Sequence, residues 1–205
     1  MKNNVRAVIT LTLITLIAGA LLGFVYELTK GPIAIQEEAT KQAAYKKVFE
    51  KAEAFEPYDG FDAEGSKAVL VQGGFEDEHI EEALIALDAS GNKLGYVLTV
   101  VTMEGYGGEI DVSMGIDNEG TLNGIEILSI SETAGLGMKA DTDEFKSKFK
   151  DKQVAQFMYT KTGAAKDYEI DALSGATITT NAMVNAVNSG LLYYQSIAGG
   201  EAVNE

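Results

Sequence analysis

The sequence predicts an α+β protein with a single N-terminal transmembrane helix, a stalk helix, and one domain in which an antiparallel sheet is flanked by helices. A long uncharged apolar run lies near the N-terminus, short apolar runs separated by turn clusters follow, and two later segments repeat apolar residues at helical spacing. With 205 residues, the chain is long enough to bury a core. The expected segments are a cytoplasmic N-terminus (1–6), a transmembrane helix (7–28), a stalk helix and linker (29–60), and a domain outside the cytoplasm (61–205).

The first element is an apolar run from Ala7 to Tyr26 that contains no charged residue. At the helical rise it spans about 30 Å, the thickness of a bilayer core. A cleaved signal peptide is the alternative, because Ala18-Gly19-Ala20 resembles a cleavage site. The apolar residues continue six positions beyond that site, which favours an anchor. Lys2 and Arg6 precede the helix, so the positive-inside rule predicts a cytoplasmic N-terminus and a domain on the other side.

After Gly31-Pro32, which we expect to break the helix, residues 33–54 are rich in Ala, Glu, Lys and Gln and predict a stalk helix. The next runs have hairpin-strand length and are separated by clusters of Gly, Asn and Asp, so they predict an antiparallel sheet of four or five strands. These runs are residues 67–73, 80–91, 93–105, 109–120 and 121–131.

Two helices are predicted after the sheet. Residues 143–159 carry Phe145, Phe149, Val154 and Phe157 as inward positions. Residues 181–197 repeat apolar side chains at intervals of four, four and three. These side chains are Met183, Val187, Leu191 and Tyr194.

The composition excludes several classes of chemistry. The chain has no cysteine, which excludes disulfides, thiolate metal sites, iron–sulfur clusters and a catalytic thiol, so any redox role requires a bound cofactor. The one histidine, His79, lies among acidic residues and is expected to be an ordinary surface residue, which argues against a catalytic triad or a histidine-rich zinc site. The net charge of −15 argues against binding to nucleic acid.

Three glycine-containing clusters are candidates for a binding site: residues 105–108 (GYGG), 132–137 (ETAGLG) and 171–180 (DALSGATITT). The third directly precedes a predicted helix, with Thr179 or Thr180 as its expected N-cap. Unpaired N–H groups at a helix start form an anion site that needs no Lys or Arg, and Gly175 allows a ligand to approach the backbone. The helix dipole alone contributes only about 0.3–1 kcal/mol, so a retained cofactor requires further contacts or a covalent bond, for which Thr177 offers a hydroxyl.

These three motifs, in this order behind an N-terminal anchor, resemble the FMN-binding domain of the RnfG component of the Rnf electron-transport complex. They also resemble its relative, the NqrC component of the sodium-pumping NADH:quinone oxidoreductase. The resemblance implies FMN joined through its phosphate to Thr177, with Thr179 as the alternative attachment site. It also implies a flavin transferase that recognises Asp171. Ala134 stands where the family usually has proline, which we expect to loosen this turn.

The expected FMN contacts fall into three groups. Ser174, Gly175, Ala176 and Thr179 surround the phosphate, and Tyr106, Leu136, Met138 and Leu173 are candidates for an apolar slot around the ring. Glu132 either accepts a hydrogen bond from the flavin or caps the following turn. The remaining expected contacts are other residues of the same motifs: Gly107, Thr133, Gly135 and Gly137.

The resemblance therefore implies a membrane-anchored electron carrier in an Rnf-type complex that moves electrons between ferredoxin and NAD⁺ and couples them to sodium or proton transport. The carrier alone is not the catalyst, and its partners are the other membrane subunits. Acidic surroundings are expected to lower the flavin potential. One alternative is a free-standing flavinylated surface protein for extracellular electron transfer. Another is an anchored binding ectodomain without a redox role, in which residues 174–177 only cap a helix.

Overall fold

The computed structural model describes residues 2–201. The chain divides into two units, residues 1–40 and 41–205. Helix α1 (Lys2–Val48) accounts for the described part of the first unit and continues into the second. Among the described residues it is the one helix long and apolar enough to cross a membrane, and its apolar side chains from Val5 to Leu28 are exposed.

The expected break at Gly31-Pro32 is wrong, because Pro32 lies inside α1. Proline removes one backbone hydrogen bond and crowds the preceding turn. The strong helix formers that follow, Ala, Glu, Lys and Gln, extend the helix beyond this point. The helix ends at Val48, before the expected end of the stalk at residue 54.

The second unit contains a five-stranded antiparallel sheet whose strands follow chain order. The strands are β1 (Ala54–Pro57), β2 (Glu78–Leu87), β3 (Lys93–Gly105), β4 (Gly108–Asp117) and β5 (Leu122–Ile130). The predicted antiparallel sheet is confirmed, and four of its strands match the predicted runs. The first strand, β1, was not predicted and lies in the expected linker.

The run at residues 67–73 is helical, contrary to the expectation of a strand. It forms most of helix α2 (Ala63–Gln72). Asp62 is the N-cap of this helix, and its side chain accepts a hydrogen bond from the Gly65 N–H at 2.8 Å. Ser66 and Leu70, four residues apart, are the buried positions of this helix. A capped start and a four-residue burial interval therefore outweigh the β-branched residues of the run.

Helix α4 (Thr177–Glu201) packs against one face of the sheet. The four residues predicted to face inward are all buried: Met183, Val187, Leu191 and Tyr194. The opposite sheet face carries a second apolar cluster formed with the end of α1, including Tyr45, Val48 and Phe49. The sheet is thus covered on both faces within residues 41–201.

The helix predicted at residues 143–159 is largely wrong. Only a short helix α3 (Asp143–Lys146) and a 3-10 helix (147–149) form there. Lys150 is extended and ends the helical structure, and Asp151 then adopts a left-handed conformation. The chain continues into strand β6 (Met158–Thr160), which pairs in parallel with β7 (Glu169–Asp171). Three predicted inward residues are nevertheless buried, and their rings contact one another edge to face: Phe145, Phe149 and Phe157.

Candidate functional site

The three glycine-containing motifs meet around one cavity of about 590 Å³. The two-residue turn between β3 and β4, the loop after β5, and the start of α4 form its walls. This volume lies within the usual range for small-molecule sites. The lining residues are Tyr106, Glu132, Thr133, Leu136, Gly137, Gly175, Ala176, Thr177, Ile178 and Thr179.

Most of the predicted contact residues line this cavity, but five do not. Gly107, Gly135 and Ser174 lie in the same loops outside the lining. Leu173 packs against the main core, and Met138 is partly buried in the 3-10 helix at residues 137–141. A β-carbon at Gly107 would lie 1.9 Å from the Ser131 carbonyl oxygen, so this glycine allows the hairpin tip to approach the end of β5.

The prediction that Thr179 or Thr180 is the N-cap of α4 is wrong, because the helix already begins at Thr177. Ala176 occupies the cap position and accepts the Thr180 N–H at 3.0 Å. The Thr180 hydroxyl instead connects the loop before the helix to the helix itself. It accepts the Leu173 N–H at 3.0 Å and donates to the Ala176 carbonyl at 2.9 Å, which ties the preceding loop to the first helical turn.

The loop before α4 forms a tight turn over the helix start. The Ala176 N–H donates to the Leu173 carbonyl at 3.0 Å, and Gly175 has a φ of +77°, a conformation that favours glycine. The main-chain N–H groups of the first helical residues, starting with Thr177, have no acceptor within the helix. These groups and the helix dipole make this end of the cavity suitable for an anion.

The two threonines that offer attachment sites differ in exposure. Thr177 is partly exposed and lines the cavity, whereas Thr179 is only 1% exposed. Thr179 Oγ1 lies 2.6 Å from the position that a β-carbon on Gly137 would take. Thr177 is therefore the more accessible nucleophile of the two.

Glu132 is the one charged side chain among the residues that line the cavity. Its Oε1 accepts the Tyr106 main-chain N–H at 2.8 Å and so fastens the hairpin tip to the loop after β5. The turn that follows Glu132 is closed by its own backbone, since the Leu136 N–H donates to the Thr133 carbonyl at 3.1 Å. The carboxylate thus bridges two walls of the cavity and does not cap that turn.

Gly137 makes the close contact between two walls possible. A β-carbon there would lie 2.6 Å from both Glu132 Oε2 and Thr179 Oγ1. These distances are shorter than a carbon and an oxygen tolerate, so any side chain at position 137 would push the Glu132 loop away from α4.

The apolar part of the lining is unusually exposed. Tyr106 is 71% exposed, Leu136 42% and Ile178 54%. Tyr106 and Leu136 were expected from the motifs, whereas Ile178 was missed. Its signal in the sequence is a bulky apolar residue one position after Thr177, off the inward stripe of α4. Together these side chains offer apolar contact to a planar ligand.

Asp171 lies at the end of β7 and is absent from the cavity lining. Its Oδ1 accepts the Ala164 N–H at 2.6 Å, and its carbonyl accepts the Lys148 ammonium at 3.3 Å. These bonds fix the end of β7, where the segment that leads to the start of α4 begins.

A pair of carboxylates near the tip of the β3–β4 hairpin was also missed. Glu104 Oε2 accepts the Asn185 side-chain amide at 2.6 Å and so links the end of β3 to α4. Glu78 is 1% exposed and accepts the Thr102 hydroxyl at 3.0 Å. Burial, followed by the charge of Glu104, raises the pKa of Glu78 to about 7.

Family models match both parts of the chain. The model of the FMN-binding domain matches residues 105–192, which contain all three motifs and the whole cavity lining. The model of the RnfG N-terminal region matches residues 1–48.

Relatives match over almost the full length. The G subunit of the ion-translocating oxidoreductase complex of Methanosarcina acetivorans is 32% identical over 201 residues, which cover 97% of this chain and 98% of the relative. The G subunit of the Na⁺-translocating ferredoxin:NAD⁺ oxidoreductase complex of Acetobacterium woodii is 30% identical, with 92% and 90% covered. The G subunit of the proton-translocating ferredoxin:NAD⁺ oxidoreductase complex of Clostridium ljungdahlii is 27% identical, with 98% and 97% covered.

The crystal structure of Shewanella oneidensis NqrC resembles this chain with a TM-score of 0.51 at 20% identity. The match covers 60% of this chain and 61% of that one, and it supports the α+β fold. The resemblance inferred from the three motifs is thus confirmed by the family models and by relatives across the whole chain, and the protein belongs to the RnfG family, whose members are subunits of ion-translocating oxidoreductase complexes.

Proposed function

We propose that this protein is a membrane-anchored electron-transfer subunit that carries FMN within an Rnf-type ion-translocating ferredoxin:NAD⁺ oxidoreductase complex. The observation that carries the proposal is the cavity at the start of α4, which unites the three motifs inside the region matched by the FMN-binding model. The names of the relatives from Acetobacterium woodii and Clostridium ljungdahlii supply the complex and its reaction. The first relative is named for sodium and the second for protons.

The residues of the cavity fit FMN at both of its ends. The free N–H groups at the start of α4 suit a phosphate, and the exposed side chains of Tyr106, Leu136 and Ile178 suit a planar ring. When bound, FMN accepts and releases electrons, a chemistry that a chain without cysteine cannot supply by itself. The protein fixes the position of the cofactor and its electrostatic surroundings.

We further propose that the flavin phosphate is esterified to Thr177. The Thr177 hydroxyl attacks the phosphorus of a flavin phosphate donor held by a flavin transferase. An O–P bond forms, the bond to the donor's leaving group breaks, and the hydroxyl proton passes to a base. The phosphodiester keeps one negative charge, which the helix N-terminus stabilises. The accessibility of Thr177 and the burial of Thr179 support this assignment, and Asp171 is the proposed recognition residue for the transferase.

The orientation follows from the charges that flank the apolar helix. Lys2 and Arg6 precede it, whereas the chain beyond it is acidic, so the N-terminus is assigned to the cytoplasm and the FMN domain to the other side. The partners of the protein are then the other membrane subunits of the complex.

The mass of the intact protein tests the cofactor and its attachment. Protein produced together with a flavin transferase should carry an adduct of about 440 Da, the mass that esterified FMN adds. Thr177→Ala should lose the adduct, the yellow colour and the in-gel flavin fluorescence, whereas Thr177→Ser should retain them through its hydroxyl. Thr179→Ser is the matched control and should keep the adduct.

Three other outcomes discriminate between the alternatives. An adduct that persists in Thr177→Ala and disappears in Thr179→Ala would move the attachment site. Wild-type protein without any adduct would leave the binding ectodomain as the better description. A flavinylated protein that purifies without other membrane subunits would indicate the free-standing surface carrier.

The absence of cysteine gives a direct test of orientation. Asn4→Cys and Thr162→Cys introduce single thiols on the two sides of the apolar helix. In intact cells, a membrane-impermeant maleimide should label the cysteine at position 162 and not the one at position 4. The reverse labelling would overturn the assigned topology.

A further inference from the structure

Three buried side-chain oxygens have no hydrogen-bond partner among residues 2–201: Thr99 Oγ1, Asp111 Oδ1 and Ser113 Oγ. Thr99 is 1% exposed and Ser113 0%. A buried polar atom without a partner costs about 1–3 kcal/mol, and a bound water or ion is one of the explanations for such atoms in a native protein.

These oxygens share one face of two neighbouring strands. Thr99 on β3 is the register partner of Ser113 on β4, and Asp111 lies two residues before Ser113. Leu98, Val100 and Val112 alternate with them and point into the main core under α4. The three side chains therefore lie on the opposite face, with directly paired β-carbons about 5 Å apart and the others about 7 Å apart.

Thr99 and Ser113 belong to a cross-strand row that continues to Glu82 on β2 and Glu126 on β5, and both of these carboxylates already have hydrogen-bond partners. Glu82, which pairs with Thr99, accepts the Tyr45 hydroxyl at 2.5 Å. Glu126, which pairs with Ser113, accepts the ammonium groups of Lys47 and Lys146, each at 2.8 Å. Residues near the end of α1 thus donate hydrogen bonds to both ends of the row. The two hydroxyls in its centre have no protein partner among the described residues.

The local charge favours a cation. Glu81 and Glu109 interact with Asp111 as like charges, and Lys41 is the opposing positive charge. Burial first, and then these carboxylates, raises the pKa of Asp111 to about 6. Lys41 donates to Glu81 at 3.4 Å. Three carboxylates against one ammonium leave excess negative charge at this place.

We propose that Thr99, Asp111 and Ser113 form a binding site for a small monovalent cation of the sodium type, beneath the end of α1. Carboxylate and hydroxyl oxygens are hard ligands that suit such an ion. Among these direct ligands one carboxylate supplies a single negative charge, which matches a monovalent ion, whereas Ca²⁺ sites draw on several carboxylates. The site is separate from the flavin cavity and requires no flavin.

The test compares cations at equal ionic strength. The thermal midpoint, Tm, of the full-length protein in detergent is measured in sodium chloride, potassium chloride and choline chloride, and the ²³Na line width is measured in parallel. Above the dissociation constant, each tenfold increase in sodium should raise Tm by about 3 °C relative to choline, because the ion binds the folded state. The ²³Na signal should broaden in the presence of the protein.

Variants assign the effect to the site. Thr99→Val and Asp111→Asn preserve shape, and each should abolish both the sodium-dependent shift in Tm and the line broadening. Glu64→Gln, which alters an exposed carboxylate on α2, should retain both effects. Equal Tm values in sodium and choline would overturn the proposal and indicate a bound water. A sodium effect that survives in both site variants would also overturn it, because the ion would then bind elsewhere.

Discussion

The Tyr106 main-chain N–H donates to Glu132 Oε1 at 2.8 Å, across 26 positions of the sequence. This bond joins the tip of the β3–β4 hairpin to the loop that follows β5. Both residues line the cavity, so the bond fixes the spacing of two of its walls. It also holds the Glu132 carboxylate at the cavity, where the charge of this group affects the reduction potential of a bound redox cofactor.

Glu132→Gln should raise the flavin reduction potential. Removal of a negative charge beside the cofactor favours the reduced flavin, and an interaction of about 1 kcal/mol corresponds to about 20 mV for a two-electron couple. The amide oxygen of glutamine still accepts the Tyr106 N–H, so the wall remains in place. A spectroelectrochemical titration of the flavinylated protein measures the shift. Glu109→Gln, which changes a carboxylate outside the cavity lining, is the control. An unchanged or lowered potential in Glu132→Gln would contradict a position of this carboxylate near the flavin.

Gly137→Ala should destabilise the protein and reduce flavin incorporation. The added β-carbon would meet Glu132 Oε2 and Thr179 Oγ1 at 2.6 Å, which forces the walls apart at a cost of about 1–3 kcal/mol. Gly135→Ala is the matched control: its β-carbon meets nothing within 4 Å, and it bears only the cost of a φ of +78°. Urea unfolding and the ratio of flavin to protein check both variants. A Gly137→Ala protein with wild-type flavin content would show that the contact is unimportant.

Ala134→Pro should stabilise the protein by about 0.4–1 kcal/mol, chiefly because it restricts the unfolded chain. Thr133–Leu136 form a hydrogen-bonded turn in which Ala134 is the second residue and Gly135, with positive φ, the third. This arrangement is typical of a type II turn, which favours proline at the second position. The midpoint of urea unfolding measures the gain. Thr133→Pro, at the first position of the turn, is the comparison and should not stabilise. A loss of stability in Ala134→Pro would exclude this turn type.

Glu78 should make the folded protein less stable as the pH rises. Its pKa is about 7 in the folded state against 4.5 for the free side chain. Between these values the folded state binds the proton more than the unfolded state does, so rising pH lowers the free energy of unfolding. The total loss is at most about 3 kcal/mol, since one pKa unit corresponds to about 1.4 kcal/mol.

Glu78→Gln should flatten this dependence and increase stability at pH 8, because the amide accepts the Thr102 hydroxyl without a charge. Unfolding by urea at a series of pH values provides the measurement. A smaller slope should remain, because the pKa of Asp111 is also raised, to about 6. Glu76→Gln, at an exposed position, should keep the wild-type profile. An unaltered slope in Glu78→Gln would assign the dependence to other groups.

The site was more predictable from the sequence than several of the secondary-structure elements. The three motifs identified most of the cavity lining because close backbone approaches require glycine at fixed places, as Gly137 illustrates. Sequence spacing does not reveal which loops meet in space. The Glu132 bond to Tyr106 and the distinction between partly exposed Thr177 and buried Thr179 therefore emerge only from the fold.

The errors in secondary structure have local physical causes. Residues 67–73 contain β-branched residues, yet the Asp62 cap begins a helix there. At 143–159 the aromatic spacing correctly identified buried side chains, but Phe157 lies on a chain segment held by the Asn188 side chain, which bonds both its N–H and its carbonyl. The spacing of apolar residues therefore predicted the buried side chains more reliably than it predicted the backbone conformation at those residues.

The position of Thr177 at the first residue of α4 affects how long and how firmly a cofactor is held. The helix that follows is anchored in the core through Ala182 and Met183, both fully buried. A flavin esterified at Thr177 would be tethered to a rigid element and would never be diluted into the surroundings, so its effective concentration at the cavity would not depend on binding affinity. Such a cavity needs only to orient its cofactor, which is compatible with walls as exposed as Tyr106 and Ile178.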